Sequence, residues 1–416
     1  MPGRVAQLNP FKTMAARRLA LLFGIVYFAQ GMWYLPNQTI TISLKDAGLS
    51  AGQIATFFAI TTIPWLIKPV YGLLSDFVPL YGYHRKSYLL LTSGTAAMGG
   101  FLLGLTGEHS YSRMATLFTL MALGLAFTDV LVDALMVENG KPLGLTGAFQ
   151  SVQWGAIITA SVLVGEIGGY LAHHRRLHAA FLLSACFPLL SLVMSTFFVR
   201  EARARSERAS FRETWRAIRL ALRERETWLV AGFILFWTFS PSFGPAFLFY
   251  QTDTLHFDQQ FIGHLGALSS LAGVAGAFIY APLSRRVPLR RLINLSIAIA
   301  TVGTLAFLVY RDWISALTIE VLFGCANMIT RLSILDLAAK SCPRHVEATF
   351  FAFLMSVYNG GTQISENVGA RLYDTYGYTT LVVISTVTTA AVWLLVPFVR
   401  IDRIEARARH AEMPPT

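Results

Sequence analysis

Twelve apolar segments run through this chain almost end to end, and that pattern confines it to a lipid bilayer. A helix needs about 20 mostly apolar residues to cross a hydrocarbon core about 30 Å thick. Such segments lie at 19–42, 52–75, 88–106, 114–137, 147–172, 179–199, 228–250, 261–283, 292–310, 314–339, 348–372 and 380–399. Spanning strands would alternate apolar and polar residues in runs of about 10. These runs are continuously apolar and predict helices, which satisfy their own backbone hydrogen bonds where no water is present. The expected fold class is an all-α membrane protein with twelve transmembrane helices.

Charge sets the expected orientation. Only 14% of the residues are charged, against about 25% in soluble domains. A net charge of +11 would suit a nucleic-acid partner, but its distribution follows the positive-inside rule instead. With the N-terminus in the cytoplasm, 26 of the 34 basic residues fall on the cytoplasmic side, five fall outside, and Lys68, Arg331 and Arg371 lie within segments. Both termini are therefore expected in the cytoplasm of a bacterium, with the chain in the inner (plasma) membrane, surrounded by lipid and binding no nucleic acid. The first segment is too long, and too polar at Gln30, Asn37 and Gln38, for a cleaved signal peptide. Cys186, Cys325 and Cys342 are scattered and give neither a disulfide framework nor metal-ligand spacing. No nucleotide, dinucleotide or zinc motif occurs, so no cofactor or metal is expected.

Residues 200–226 form the one long hydrophilic stretch between segments, with six segments on either side. The expected organisation is a six-helix bundle over 1–199, a cytoplasmic linker over 200–226 and a second bundle over 227–416. Phe211, Trp215, Ile218 and Leu222 recur at helical spacing in the linker. That pattern suits either an amphipathic surface helix or a solvated one. The halves resemble each other in order. Tyr71–Asp76 and Tyr280–Arg285 each close a helix and precede a basic pair, while Ser151–Gly155 matches Ser356–Gly360. A 6+6 repeat with a site between the halves is a known transporter architecture.

Charges inside membrane helices are costly and mark function or ion pairing. Asp129 and Asp133 share one helix face, where two acids repel unless a cation or a proton neutralises them. Aligning Asp133 with Asp336 puts Arg331 near the depth of Asp129, which makes Arg331 the expected partner and Asp129, Asp133, Arg331 and Asp336 the proton-coupling set. A permanent ion-pair cluster that fixes packing is the alternative. Lys68, between Pro64 and Pro69, either attracts an anion or snorkels to the headgroups. Amides with aromatics suit a planar hydrogen-bonding ligand. That pattern nominates Gln30, Trp33, Asn37, Gln150, Gln153, Trp154, Trp237, Tyr358, Asn359 and Gln363, with Lys68 and Arg331 as counter-charges. The same side chains also serve as glue between helices or as interface belts. Asp76 with Arg85 and Lys86 forms a candidate cytoplasmic gate.

The stretch Tyr27–Gly31, Leu44–Asp46, Gly48–Ser50, Pro64–Trp65, Lys68–Asp76, Pro79, Gly82–Tyr83, Arg85–Lys86 and Tyr88 resembles the folate–biopterin transporter family of the major facilitator superfamily. Asp129–Ala134 and Phe149–Ser151 with Trp154–Gly155 also resemble it. The match is strongest in the N-terminal half. A more distant likeness is to the muropeptide permeases. The resemblance implies a twelve-helix rocker-switch transporter that moves a folate- or pterin-like small molecule, coupled to protons and working as a monomer. Muropeptide or other small-solute transport is the alternative. In this chain the counterpart of Asp76 in the second half is Arg285. A membrane-embedded enzyme would need a nucleophile–base pair or metal ligands converging at one depth. His173, His174 and His178 crowd an outside loop instead, so the chain is not expected to be an enzyme.

Overall fold

A computed structural model describes residues 10–106, 110–201, 203, 215–216, 219, 222–342 and 347–412. Most of the 200–226 linker, including Phe211 and Ile218, lies outside the described residues. Among the described residues ten helical spans are long and apolar enough to cross a membrane. The helix Glu347–Ala391 bends at Gly377, with φ +77°, and so contributes two. Glycine takes that left-handed conformation without a Cβ penalty. A broken helix over 225–254 completes the twelve.

We number them α1 (Met14–Gly31, continuing through Asn37–Asp46), α2 (Ala51–Leu66 with Lys68–Phe77), α3 (Lys86–Leu105) and α4 (Tyr111–Leu143). Then follow α5 (Thr146–His173), α6 (Leu177–Phe198), α7 (Arg225–Thr238 with Gly244–Phe249), α8 (Gln259–Arg286) and α9 (Leu289–Ala306). Last come α10 (Trp313–Ser341), α11 and α12 (before and after Gly377) and the tail helix α13 (Ile401–Glu412). The expected all-α fold is met.

The breaks follow from proline chemistry. In α2 the interruption falls at Ile67, two residues before Pro69, which cannot donate to the carbonyl four residues back. In α7 the helix stops at Thr238 and resumes at Gly244, with Pro241 inside the gap and Pro245 just after it. Backbone groups freed by such a gap need partners inside a membrane. Ser385 Oγ donates to the Pro241 carbonyl and Ser365 Oγ to the Ser240 carbonyl, while the Ser242 amide donates to the Ser365 carbonyl at 3.3 Å. The Ser240 hydroxyl in turn donates to the Ser385 carbonyl at 2.9 Å.

The chain forms two compact units. One comprises 1–42 with 70–207, and the other 43–69 with 208–416. Ser43–Pro69 therefore groups with the second unit, although the sequence places it in the first six segments. Its ties explain this. Lys45 pairs with Asp253, in the turn Tyr250–Thr254 that follows α7, and lies 4.6 Å from the Phe249 ring. The Asp374 carboxylate accepts from the Ala51 and Gly52 amides at 3.2 and 2.8 Å, where α2 begins. An acid at a helix N-terminus satisfies orphan amides and favours the dipole. Asn367 donates to Thr56 at 3.0 Å.

Candidate functional site

In the first unit, α4 carries two acids facing α1 and α5. Asp129 is 5% exposed and accepts from Gln30 Nε2 at 2.7 Å. One turn on, Asp133 accepts from the hydroxyl of fully buried Tyr27 and from Gln153 Nε2 at 3.5 Å. The Gln30 Oε1 atom is buried and has no hydrogen-bond partner among the described residues. Four predicted positions, Gln30, Gln153, Asp129 and Asp133, thus converge on one cluster, and Tyr27 joins them. Every hydrogen-bond donor just named is uncharged.

The loop between α2 and α3 is built around Arg85, which is 7% exposed. Its guanidinium pairs with Asp76 and with Glu138 of α4, the latter at 2.6 Å, and donates to Ser75 Oγ at 2.6 Å. Burial pulls the Arg85 pKa down, but Asp76 and Glu138 outweigh it and the net shift is upward. The Glu201 carboxylate accepts from the backbone amides of His84, Arg85 and Lys86 at 2.8, 3.0 and 2.8 Å, capping α3 from beyond the end of α6. The second unit repeats the device. Glu405 of α13, beyond α12, accepts from the Leu289 amide at the start of α9 at 3.1 Å. Neither Glu138 nor Glu201 is nominated by the sequence. Lys86 enters the network through its backbone.

In the second unit Asp336 pairs with Lys340, one turn along α10, at 2.7 Å, and accepts from the Tyr280 hydroxyl at 3.4 Å. The sequence expectation supplies no such cation for Asp336. Arg331 stands exposed on the same helix. Trp237 lines a cavity of about 210 Å³ between α7, α9, α10 and α12, with Phe243, Asn327, Thr330 and Thr389. Tyr358 packs against the apolar core of α7, α9, α10 and α11. Lys68 lies 4.8 Å over the Trp65 ring. Gln363 and Glu366 face each other on α11, Nε2 to Oε2 at 3.5 Å.

Other nominations fall elsewhere. Trp33 is 5% exposed and stacks on Phe118 at 3.9 Å, deep in the first unit. That ring is core packing, and an aromatic beside amides in sequence does not reveal which neighbour it meets. Gln150 is exposed, while Trp154 and Asn359 are partly buried. The Asn37 Oδ1 atom is buried with no hydrogen-bond partner among the described residues. Sequence reasoning passes over Glu320, a carboxyl within α10 that faces Ser269 of α8. Its charge inside an apolar segment is the available signal. Among the described residues no group of three or more His, Cys, Asp or Glu side chains is placed to hold a metal.

The model of the BT1 family matches residues 30–401. The chain belongs to the BT1 family. A folate-biopterin transporter of Synechocystis sp. is 32% identical over 374 residues, covering 85% of this chain and 74% of that protein. Folate transporter 1 of Plasmodium falciparum is 25% identical, over 84% and 71% of the two chains. Among solved structures, a POT family transporter in complex with 5-aminolevulinic acid superposes with a TM-score of 0.75 at 12% identity, over 96% and 99% of the two chains. A mutant form of the nucleoside transporter NupG gives 0.69 at 14%, over 94% and 99%. At those identities the likeness establishes the fold of major facilitator transporters. This BT1 family member is thus an integral membrane transporter, and not an enzyme.

Proposed function

We propose that this BT1 chain is a secondary active transporter that carries a folate- or pterin-like anionic solute across the bacterial inner membrane by alternating access of its two six-helix halves, driven by protons. The relatives' names support the solute class. The coupling rests on one observation, the Asp129–Asp133 pair held by Tyr27, Gln30 and Gln153. Two carboxylates one turn apart repel when both are charged, and a proton on one removes the repulsion. Arg331 is the proposed mobile counter-charge, and Lys68 the residue that draws in the anion. At the cytoplasmic end, the Arg85 network with Asp76 serves as a gate that holds the α2–α3 loop in one state. Both termini lie in the cytoplasm under this reading, and the working unit is a monomer.

Counterflow and pH-jump uptake in proteoliposomes test the reading. Labelled folate or biopterin should exchange without a gradient and accumulate when the outside is made acidic. Robust uptake of muropeptides or cationic solutes alone would overturn the solute assignment. Accumulation indifferent to the pH gradient would overturn the coupling. Single cysteines at Ser110 and Ser206 should label from opposite sides of the membrane, and labelling of both from the periplasm would overturn the topology.

A further inference from the structure

The α11 pair Gln363–Glu366 has more hydrogen-bond acceptors than its surroundings supply with donors. Glu366 is partly buried, and the bond it receives from Gln363 Nε2 is long, at 3.5 Å. The Gln363 Oε1 atom is buried with no hydrogen-bond partner among the described residues. Buried acceptors without donors are expensive, and each such group in a native protein needs a reason. The backbone is arranged to keep the carboxyl where it is. Gly244, at the restart of α7, has φ +43°, and a Cβ there would stand 3.0 Å from Glu366 Cβ. Glycine therefore serves two purposes at this position. It takes the left-handed backbone, and it lets α7 approach the Glu366 side chain.

A carboxylate flanked by a free amide oxygen is a receptor for adjacent N–H donors. A planar donor pair binds a carboxylate bidentately, as a guanidinium does, and acidic side chains accept from exocyclic base amino groups. The 2-amino-4-oxopyrimidine edge shared by pterins and folates presents two such donors side by side, the ring N3–H and the 2-amino group. Resting on the pterin reading above, we propose that Glu366 receives this donor edge. Gln363 Oε1 takes the outward hydrogen of the amino group, so this pair selects the ring while basic residues elsewhere meet the anionic tail. The recognition involves hydrogen bonds alone, and no covalent or proton-transfer step is required.

Two pteridines that differ at the 2-position test this. Pterin carries the 2-amino group, and lumazine carries an oxygen there, which turns the donor into an acceptor. Binding to the purified full-length chain in nanodiscs should favour pterin over lumazine by roughly tenfold or more, the scale of one lost bidentate contact. Glu366→Gln should remove most of that preference by weakening pterin, with lumazine affinity held within about twofold. Gln363→Leu should act in the same direction with a smaller loss. Equal weakening of both ligands by Glu366→Gln would mark a structural or proton-carrying role and overturn the inference. Equal affinity of the wild-type chain for the two would overturn it without any variant, so a Glu366→Gln chain that fails to fold leaves the test intact. In either case pteridine binding itself would still support the pterin reading. If the wild-type chain binds neither pteridine, that reading fails and this inference falls with it.

Discussion

Helices α4 and α10 occupy matching places in the sequence repeat, yet they treat their acids in opposite ways. Asp133 accepts from a tyrosine, Tyr27, and an amide, Gln153. Asp336 also accepts from a tyrosine, Tyr280, but it has an ammonium 2.7 Å away in Lys340. A cation at that distance supplies the opposite charge, which a neutral donor does not. Asp129 deepens the contrast, because it adds a second negative charge one turn away in α4. The repeat preserved the scaffold of a tyrosine on an aspartate. What differs is the Lys340 ammonium beside Asp336, and under the proposed coupling that difference bears on which half responds to protons.

The largest effect should come from Asp133→Asn. That change keeps shape and removes the titrating charge. Accumulation driven by a pH gradient should be lost while exchange of labelled solute across the membrane persists. The double variant Asp129→Asn with Asp133→Asn should behave the same way. Normal proton-driven accumulation by the double variant would break the comparison at its root.

The loops that lead into α3 and α9 sharpen the comparison in terms of stability. Arg85 is buried and serves two acids, one from α2 and one from α4. The corresponding region of the second unit has an exposed pair, Arg290 with Asp402 at 2.9 Å. Removing one partner of a buried ion pair costs about 3–5 kcal/mol. Asp76 and Glu138 remain 42% and 49% exposed, so screening reduces this to about 1–3 kcal/mol for Arg85→Ala. Thermal melting in detergent measures it, and a loss no larger than that of Arg290→Ala would show that the two loops are equivalent after all. Next in size are the two helix caps. Glu201→Ala exposes three backbone amides of α3 and should cost about 1–2 kcal/mol. Glu405→Ala removes the acceptor of one amide at α9, and should cost about 0.5–1 kcal/mol. A reversed order would mean that burial of Glu405 outweighs the number of amides served.

How much of this is legible in the chain depends on sequence distance. Spanning helices satisfy their own hydrogen bonds, so hydropathy alone locates all twelve, and the Pro241–Pro245 cluster announces the break in α7. Asp76 and Arg85 lie nine positions apart at one loop, and their pairing can be read directly. Glu138 and Glu201 reach Arg85 and its amides from 53 and 116 positions away, and no local pattern marks such partners. The stacking of Trp33 on Phe118 of a distant segment is hidden for the same reason. Lys340 reads in sequence as part of a positive cytoplasmic boundary. Its reach back to Asp336, one helical turn away, is available from spacing but is overshadowed by the more conspicuous Arg331.

The smallest effect is also the sharpest test of the contrast. Lys340→Met keeps the length and apolar stem of the side chain and removes its charge. Asp336 is then left with Tyr280, much as Asp133 is with Tyr27. Helical pairs at this spacing contribute about 0.2–0.5 kcal/mol, so melting should scarcely move. If the cation is what sets the second half apart, its removal should add a second step to the pH profile of transport. Asp336→Asn in the same background should remove that step, because the titrating group is gone. A Lys340→Met transporter whose pH profile overlays the wild type would show that the Lys340 charge does not set the halves apart. The difference between the halves would then have to lie in the Asp129 charge that α4 alone carries beside its aspartate.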